Sequence, residues 1–238
     1  MNRTRIVLVW AAACVFTVGC IPLATPGTGA AAANSADGKK CPADGVIDDA
    51  EDDNNQIAAN KGRGGYWYTF LDKVGSTVQP PAGSTFAMSA GGAEGSAHAA
   101  HMTGKVGSGT NPYVGMGFNF VDPKGAYDAS AYKGISFWAK TGPGSTTHVR
   151  VKVPDVNTDS DGKVCTACFN DFGTDLELTP TWTKYTLPFS SLTQMAGWGA
   201  PRPGAITATK LFGVQWQVNT PGASYDVWVD DIEFTGCP

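Results

Sequence analysis

Charge is scarce in this sequence: Asp, Glu, Lys and Arg make up 16% of 238 residues, and the formal net charge is −4. No lysine-rich run or basic patch stands outside the N-terminal leader, which excludes the electrostatic footprint of a nucleic-acid binder. No Ser, His and Asp grouping and no nucleophile-elbow sequence occur, so serine-hydrolase chemistry has no foothold. Cys165-Thr-Ala-Cys168 has no second C-x-x-C to complete a zinc site. No strand-then-helix pattern surrounds it either, as a redox motif would need. Internal repeats are absent, and no helical run of twelve residues is found, which excludes a helix bundle.

What is present begins with an export signal. Arg3 and Arg5 precede an apolar run from Ile6 to Val18, too short to span a bilayer comfortably, ending at Gly19-Cys20. Small or apolar residues before Gly-Cys are the pattern of a bacterial lipobox, with Thr17 standing where leucine is preferred. Cys20 is the expected lipidation site, whereas cleavage near Ala30 to Ala33 would leave the protein simply secreted. The expected location is therefore outside the cytoplasm, at the cell surface or in the periplasm if lipid-anchored. Removing the leader takes two arginines with it, moving the formal charge from −4 to about −6. Residues 1–20 read as signal peptide and 21–40 as a flexible tether of Ala, Gly, Thr, Pro and Ser, unable to bury enough surface to order itself. Residues 41–238 are enough for one all-β domain.

Four cysteines then remain, Cys41, Cys165, Cys168 and Cys237, which permit three connectivities. In an oxidising compartment the expected pairs are Cys41 with Cys237, tying the terminal strands, and Cys165 with Cys168, pinning a tight loop.

Thirty glycines and fifteen prolines, with abundant Thr, Tyr, Trp and Val, argue for strands throughout. Val114, Met116, Phe118 and Phe120 alternate with Gly115, Gly117 and Asn119. Ile135, Phe137 and Ala139 alternate with Ser136, Trp138 and Lys140. Val149, Val151 and Val153 alternate with His148, Arg150 and Lys152, and Phe212, Val214, Trp216 and Val218 with Gly213, Gln215, Gln217 and Asn219. Turn-forming clusters such as Thr141-Gly-Pro-Gly144 and Asn157-Thr-Asp-Ser-Asp-Gly162 separate the strands. The pattern predicts a β-sandwich or jelly roll. Thr193 to Pro203 reads as a loop long enough to be functional.

The two ends of the domain match. Cys41 is followed by Ile47-Asp-Asp-Ala-Glu-Asp-Asp53, and Trp228-Val-Asp-Asp-Ile-Glu-Phe234 by Cys237. If the first and last strands lie side by side, these carboxylates converge on a hard cation that takes six to eight oxygens. The expected ligands of a structural calcium ion are Asp48, Glu51, Asp230 and Asp231, with Asp53 in reserve. Adjacent aspartates on a strand face opposite ways, so both Asp230 and Asp231 ligate only if the strand bends. Without a cation the same acids would be a solvated edge that discourages aggregation.

Ile47-Asp-Asp-Ala-Glu-Asp52, Gly62-Arg-Gly-Gly-Tyr-Trp67, Tyr127-Asp-Ala-Ser130 leading into Gly134-Ile-Ser-Phe-Trp-Ala-Lys140, Trp182-Thr-Lys-Tyr185 leading into Pro188-Phe189, and Val229-Asp-Asp-Ile232 occur in order. Together they resemble the landmarks of exported bacterial jelly-roll domains of the galactose-binding-like superfamily, and within it the family 11 carbohydrate-binding modules. The resemblance implies a jelly-roll β-sandwich of two antiparallel sheets, a structural calcium near the paired ends, and a glycan-binding cleft on the concave sheet. Two departures stand out. Ala50 occupies a position where related modules usually have phenylalanine, and no catalytic domain accompanies the module, which is expected to act as a free-standing tethered unit.

A glycan cleft needs an aromatic ring against the apolar face of a sugar, with amides, carboxylates and guanidinium groups for its hydroxyls. Strand alternation nominates Asn119, Trp138, Arg150, Gln215 and Gln217; Tyr66, Trp67 and Trp198 lie in or near loops. Trp182, Trp216 and Trp228 are assigned to the core. Two amides on one face of an otherwise apolar strand need partners, from a polyhydroxylated ligand or from Arg150 or Asp171 across the sheet. His98 and His101 point to opposite faces of a strand and build no metal site. Asp226, Asp230 and Glu233 lack the even spacing that aligns a glycosidase's acids, and Asp171 and Asp175 sit in a glycine-containing segment. The expected function is non-catalytic binding of polysaccharide or glycan. A cell-surface protein-interaction or adhesion domain is the alternative, and a glycoside hydrolase the lesser one.

Overall fold

The computed structural model describes Cys41 and residues 43–237. The signal peptide, the tether and the lipidation site Cys20 lie outside the described residues. Twelve strands among the described residues carry the fold. The first six are β1 (Val46–Asp48), β2 (Trp67–Leu71), β3 (Thr77–Gln79), β4 (Ser89–Ala90), β5 (His98–Lys105) and β6 (Val114–Asn119). The second six are β7 (Gly134–Thr141), β8 (His148–Val153), β9 (Phe172–Glu177), β10 (Thr183–Pro188), β11 (Gly213–Val218) and β12 (Ser224–Thr235). Helical structure among the described residues is limited to 3₁₀ turns of three residues each. No helix there is long and apolar enough to cross a membrane.

The strands form a jelly-roll β-sandwich of two antiparallel sheets. One sheet runs β10-β7-β12-β5-β3, with β1 also paired to β12 and β4 to β5; the other runs β2-β6-β11-β8-β9. β12 is long enough to serve two neighbours in succession on one edge. Its first half pairs with β5 and Ile232 and Glu233 with β1, across a bulge between Asp230 and Glu233 where Asp231 takes φ 47°. First and last strands thus lie side by side, as the matched ends predict.

The alternating residues of β6, β7, β8 and β11 meet between the sheets. Trp216 is fully buried, stacked on Trp67 at 5.7 Å and edge-on to Phe137 at 5.3 Å. Beyond it Phe120, Tyr127, Tyr132 and Phe234 form a second aromatic cluster, with Tyr132 and Phe234 stacked at 4.1 Å. Arg63, 6% exposed, caps this cluster by donating to Tyr127 Oη and to the Asp44 and Val46 carbonyls, which pins the chain entering β1. The disulfides are Cys41–Cys237 and Cys165–Cys168. Such bonds belong to an oxidising compartment, and the first closes a separation of 196 residues.

Candidate functional site

The outer face of the five-stranded sheet is built from two side-chain rows set by register. One row is Phe70, Gly115, Gln217, Arg150 and Asp175 on β2, β6, β11, β8 and β9; the next is Tyr68, Gly117, Gln215, Lys152 and Gly173. The alternation that buries Trp67 and Thr69 turns Tyr68 and Phe70 outward. The glycines of β6 leave a floor without side chains: a β-carbon on Gly115 would fall 2.4 Å from Phe70 Cζ, so the ring lies across that position. Tyr68, Phe70 and the exposed Tyr113 make an aromatic strip, with centroid spacings of 6.1 and 6.4 Å.

Opposite the strip, charges are paired on β8 and β9. Lys152 Nζ lies 2.8 Å from Asp171 Oδ2, both side chains nearly inaccessible, while Asp171 Oδ1 is buried without a hydrogen-bond partner among the described residues. Arg150 donates to Asp175 Oδ2 at 3.0 Å and to the Thr193 carbonyl at 2.7 Å, passing over the side where Gly173 has no side chain. The amides lie between the walls. Gln215 Nε2 donates to Tyr68 Oη at 2.9 Å and Gln217 Oε1 accepts from Lys152 at 3.3 Å. The other end of each amide, Gln215 Oε1 and Gln217 Nε2, has no protein partner among the described residues. Burial pushes the Tyr68 phenol up to about 12, so it stays protonated and able to donate. The arrangement is an aromatic wall, a flat floor with unspent amide donors and acceptors, and a wall of paired charges.

The expected binding residues are divided by this geometry. Gln215 and Gln217 line the face together. Asn119 follows on the same side of β6, its N–H donating to the Tyr66 carbonyl, and Tyr66 is 39% exposed at the entry to β2. Arg150 belongs to the face but is 4% exposed, its guanidinium spent on Asp175 and Thr193, so it positions the wall. Trp67 does not bind from the surface. It is 3% exposed, between Phe86 and Trp216, and its indole N–H donates to buried Asp48. Trp138 lies on the seven-stranded sheet, paired across to Asp230 and Lys184, and cannot share a groove with Gln215. Trp182 and Trp228 are not core residues; they flank Lys140 on the outer face of the same sheet. Trp198 is exposed in the loop after β10. Tyr68, Phe70, Tyr113 and Lys152 were missed as site residues, although alternation read outward from Trp67 places the first two.

At the matched ends the acids sort themselves. Asp48 is buried beneath Trp67, with Oδ1 accepting from Ala50 N–H at 3.1 Å and Oδ2 from the Trp67 indole; burial raises its pKa to about 6. The strand bends at Asp231, whose backbone takes φ 47° within the bulge and whose N–H donates to Asp230 Oδ1 at 2.8 Å. Glu51 and Asp230 instead meet around Ser96. Ser96 Oγ lies 2.7 Å from Glu51 Oε1, which also accepts the Ala97 and His98 N–H groups, and these bonds hold Glu51 below the usual carboxylate range. A β-carbon on Gly92 would stand 2.4 Å from the His98 carbonyl oxygen, 2.5 Å from Ser96 Oγ and 2.7 Å from Asp230 Oδ2. No group of three or more His, Cys, Asp or Glu gathers there among the described residues. What converges is an all-oxygen set of two carboxylates, a hydroxyl and a carbonyl, which suits a hard cation that completes its shell with water.

No family model matches the chain, and no curated protein matches it. Solved structures do. It is similar to a family 11 carbohydrate-binding module from Clostridium thermocellum in complex with a beta-1,3-1,4-mixed-linked tetrasaccharide, at 16% identity and TM-score 0.53, over 78% of this chain and 96% of the other. It is also similar to the family 11 module of the cellulosomal cellulase Lic26A-Cel5E of that organism, at 17% identity and TM-score 0.52, over 72% and 88%. At these identities the likeness is one of fold.

Proposed function

We propose that this protein is a non-catalytic carbohydrate-binding module that takes polysaccharide across the outer face of its five-stranded sheet. One observation carries the reading: on that face the aromatic strip Tyr68, Phe70 and Tyr113 faces paired charges across a floor bearing the two amides Gln215 and Gln217. A pyranose ring presents an apolar face and a rim of hydroxyls, and this surface offers a partner for each. The polar floor is open to water that must be displaced, so affinity per site is modest. Hydrolysis would need two carboxylates flanking the scissile bond. Asp171 and Asp175 both stand on the β9 side, each held by a cation, and Asp72 at the aromatic wall is taken up by the N–H groups of Val74, Ser76 and Tyr113 and the Ser76 hydroxyl. The structural neighbour holding a mixed-linked tetrasaccharide supports β-1,3-1,4-glucan as the first ligand to try.

We also propose a structural calcium, which Glu51 and Asp230 would hold with Ser96 Oγ and the His98 carbonyl, the support being the oxygens these residues bring together. It would join the turn after β1 to the bulge of β12 through a rigid charge. Chelation should then lower the melting temperature and added calcium restore it; unchanged melting would remove the ion from the reading. Anchoring through Cys20 would hold the module at the cell surface. The deciding experiment is a screen of the exported protein, with calcium, against soluble and insoluble polysaccharides for both retention and released reducing sugar. Retention without release is expected. Release would make the protein an enzyme, and no retention on a broad panel would favour a protein partner.

A further inference from the structure

Four of the seven large apolar side chains exposed among the described residues, Val164, Phe169, Met195 and Trp198, come from two loops. The loops are zipped together. Thr166 N–H donates to the Ala200 carbonyl at 2.9 Å, and Ala167 and Ala200 exchange backbone bonds. Asn170, 2% exposed, clamps the second loop, donating to the carbonyls of Met195 and Trp198 and accepting from Met195 N–H. Gly199, at φ 88°, is required, because a β-carbon there would lie 2.8 Å from Asn170 Cβ. The Cys165–Cys168 disulfide closes the first loop. Phe169 is 56% exposed and at φ 74°, a left-handed conformation costly for a bulky side chain. Its N–H is held by the Thr158 carbonyl at 2.8 Å. A strained backbone thus presents an aromatic ring to solvent on a rigid bracket.

The bracket adjoins the binding face. Thr193, at its base, bridges to Gly173 of β9 and accepts the Arg150 guanidinium. At its foot a recess of about 340 Å³ joins the apolar Phe172, Leu192 and Pro203 to the polar Gln194 and Arg202. Apolar floor and hydrogen-bonding rim together match a sugar ring better than they match an apolar peptide.

We propose that this bracket is a second glycan-contact site, a shelf on which Phe169 and Trp198 hold sugar residues of a long chain beyond the β9 edge of the groove. The inference rests on the glycan reading of that groove and adds a dependence on ligand length. The test compares mixed-linked β-glucan polymer, by affinity electrophoresis, with the tetrasaccharide, by calorimetry, for the exported protein. Phe169→Ala with Trp198→Ala should weaken polymer binding about tenfold and leave the tetrasaccharide unchanged. Phe169→Gly, which relieves the left-handed strain, should melt no lower than wild type and still lose polymer affinity, separating contact from folding. Phe70→Ala should lose both ligands. Wild-type polymer affinity in the shelf variants overturns the shelf alone, as does their equal loss of polymer and tetrasaccharide. Failure of the wild type to bind either ligand overturns both readings.

Discussion

On the outer face of the seven-stranded sheet, Trp182, Lys140, Trp228 and His101 stand in one row, and each spends its surface on its neighbour. Lys140 Nζ sits 4.6 Å from the Trp182 ring and 4.8 Å from Trp228, His101 stacks on Trp228 at 3.7 Å, and Asp226 accepts from the Trp228 indole at 2.7 Å. On the five-stranded sheet the rings are smaller, yet Phe70 lies across a glycine and the amides beside it keep unpaired ends. Two faces of similar composition therefore differ in what is left over. Residue type alone favours the tryptophan row, whereas the tally of partners favours the groove.

The sharpest way to break that contrast is to remove one ring from each face. Phe70→Ala should reduce polysaccharide affinity by roughly 10- to 100-fold while melting close to wild type, because the ring lies on the surface of the sheet. Trp228→Ala should do the reverse, leaving affinity intact and costing about 1–3 kcal/mol of stability. Retention on polysaccharide and thermal melts of the two variants decide it; a greater affinity loss from Trp228→Ala would move the site to the other sheet.

The same contrast explains what could be read from residues alone. Period-two runs of Val, Phe and Ile placed the buried faces of β6, β7, β8 and β11, because alternation is local in sequence, and the matched cysteines and acids put the first strand beside the last, because each end carries its own half of the pairing signal. The site depends on which strands become neighbours, and alternation says only whether a side chain faces the core. Trp138 and Gln215 both face outward, yet from different sheets. Trp228 is expected in the core, although buried Val227 and Val229 on either side already turn it outward. Trp67 is expected at the surface but is buried, and its neighbours Tyr68 and Phe70 face outward instead, since its burial follows from Asp48 and Trp216, both distant in sequence. The acids of the N-terminal run look alike in sequence, and only the fold sends Asp48 under an indole and Glu51 to the Ser96 loop.

A smaller change sharpens the self-satisfied face. Lys140→Met keeps an unbranched, polarisable stem between the two indoles but removes the charge, and exposed cation–π contacts contribute about 0.5–1 kcal/mol each. The variant should melt roughly 2–4 °C lower for each kcal/mol lost and bind polysaccharide as wild type does. A change in binding would mean that this row takes part in recognition.

The smallest effect is at the end of the row, where His101 faces Trp228, the Asp226 carboxylate 2.9 Å from its Nε2, and the Lys140 ammonium. Burial of the ring lowers its pKa from 6.5, with Asp226 pulling the other way. A base whose folded pKa is depressed takes its proton more readily when unfolded, so the contribution of the neutral ring is present above 6.5 and lost as pH falls below it. His101→Gln should flatten the dependence of melting temperature on pH between about 5 and 8, and an NMR titration of the wild-type ring should place its midpoint below 6.5. A midpoint above that value would show that the Asp226 ion pair prevails over burial, with a charged imidazole stacked on the indole.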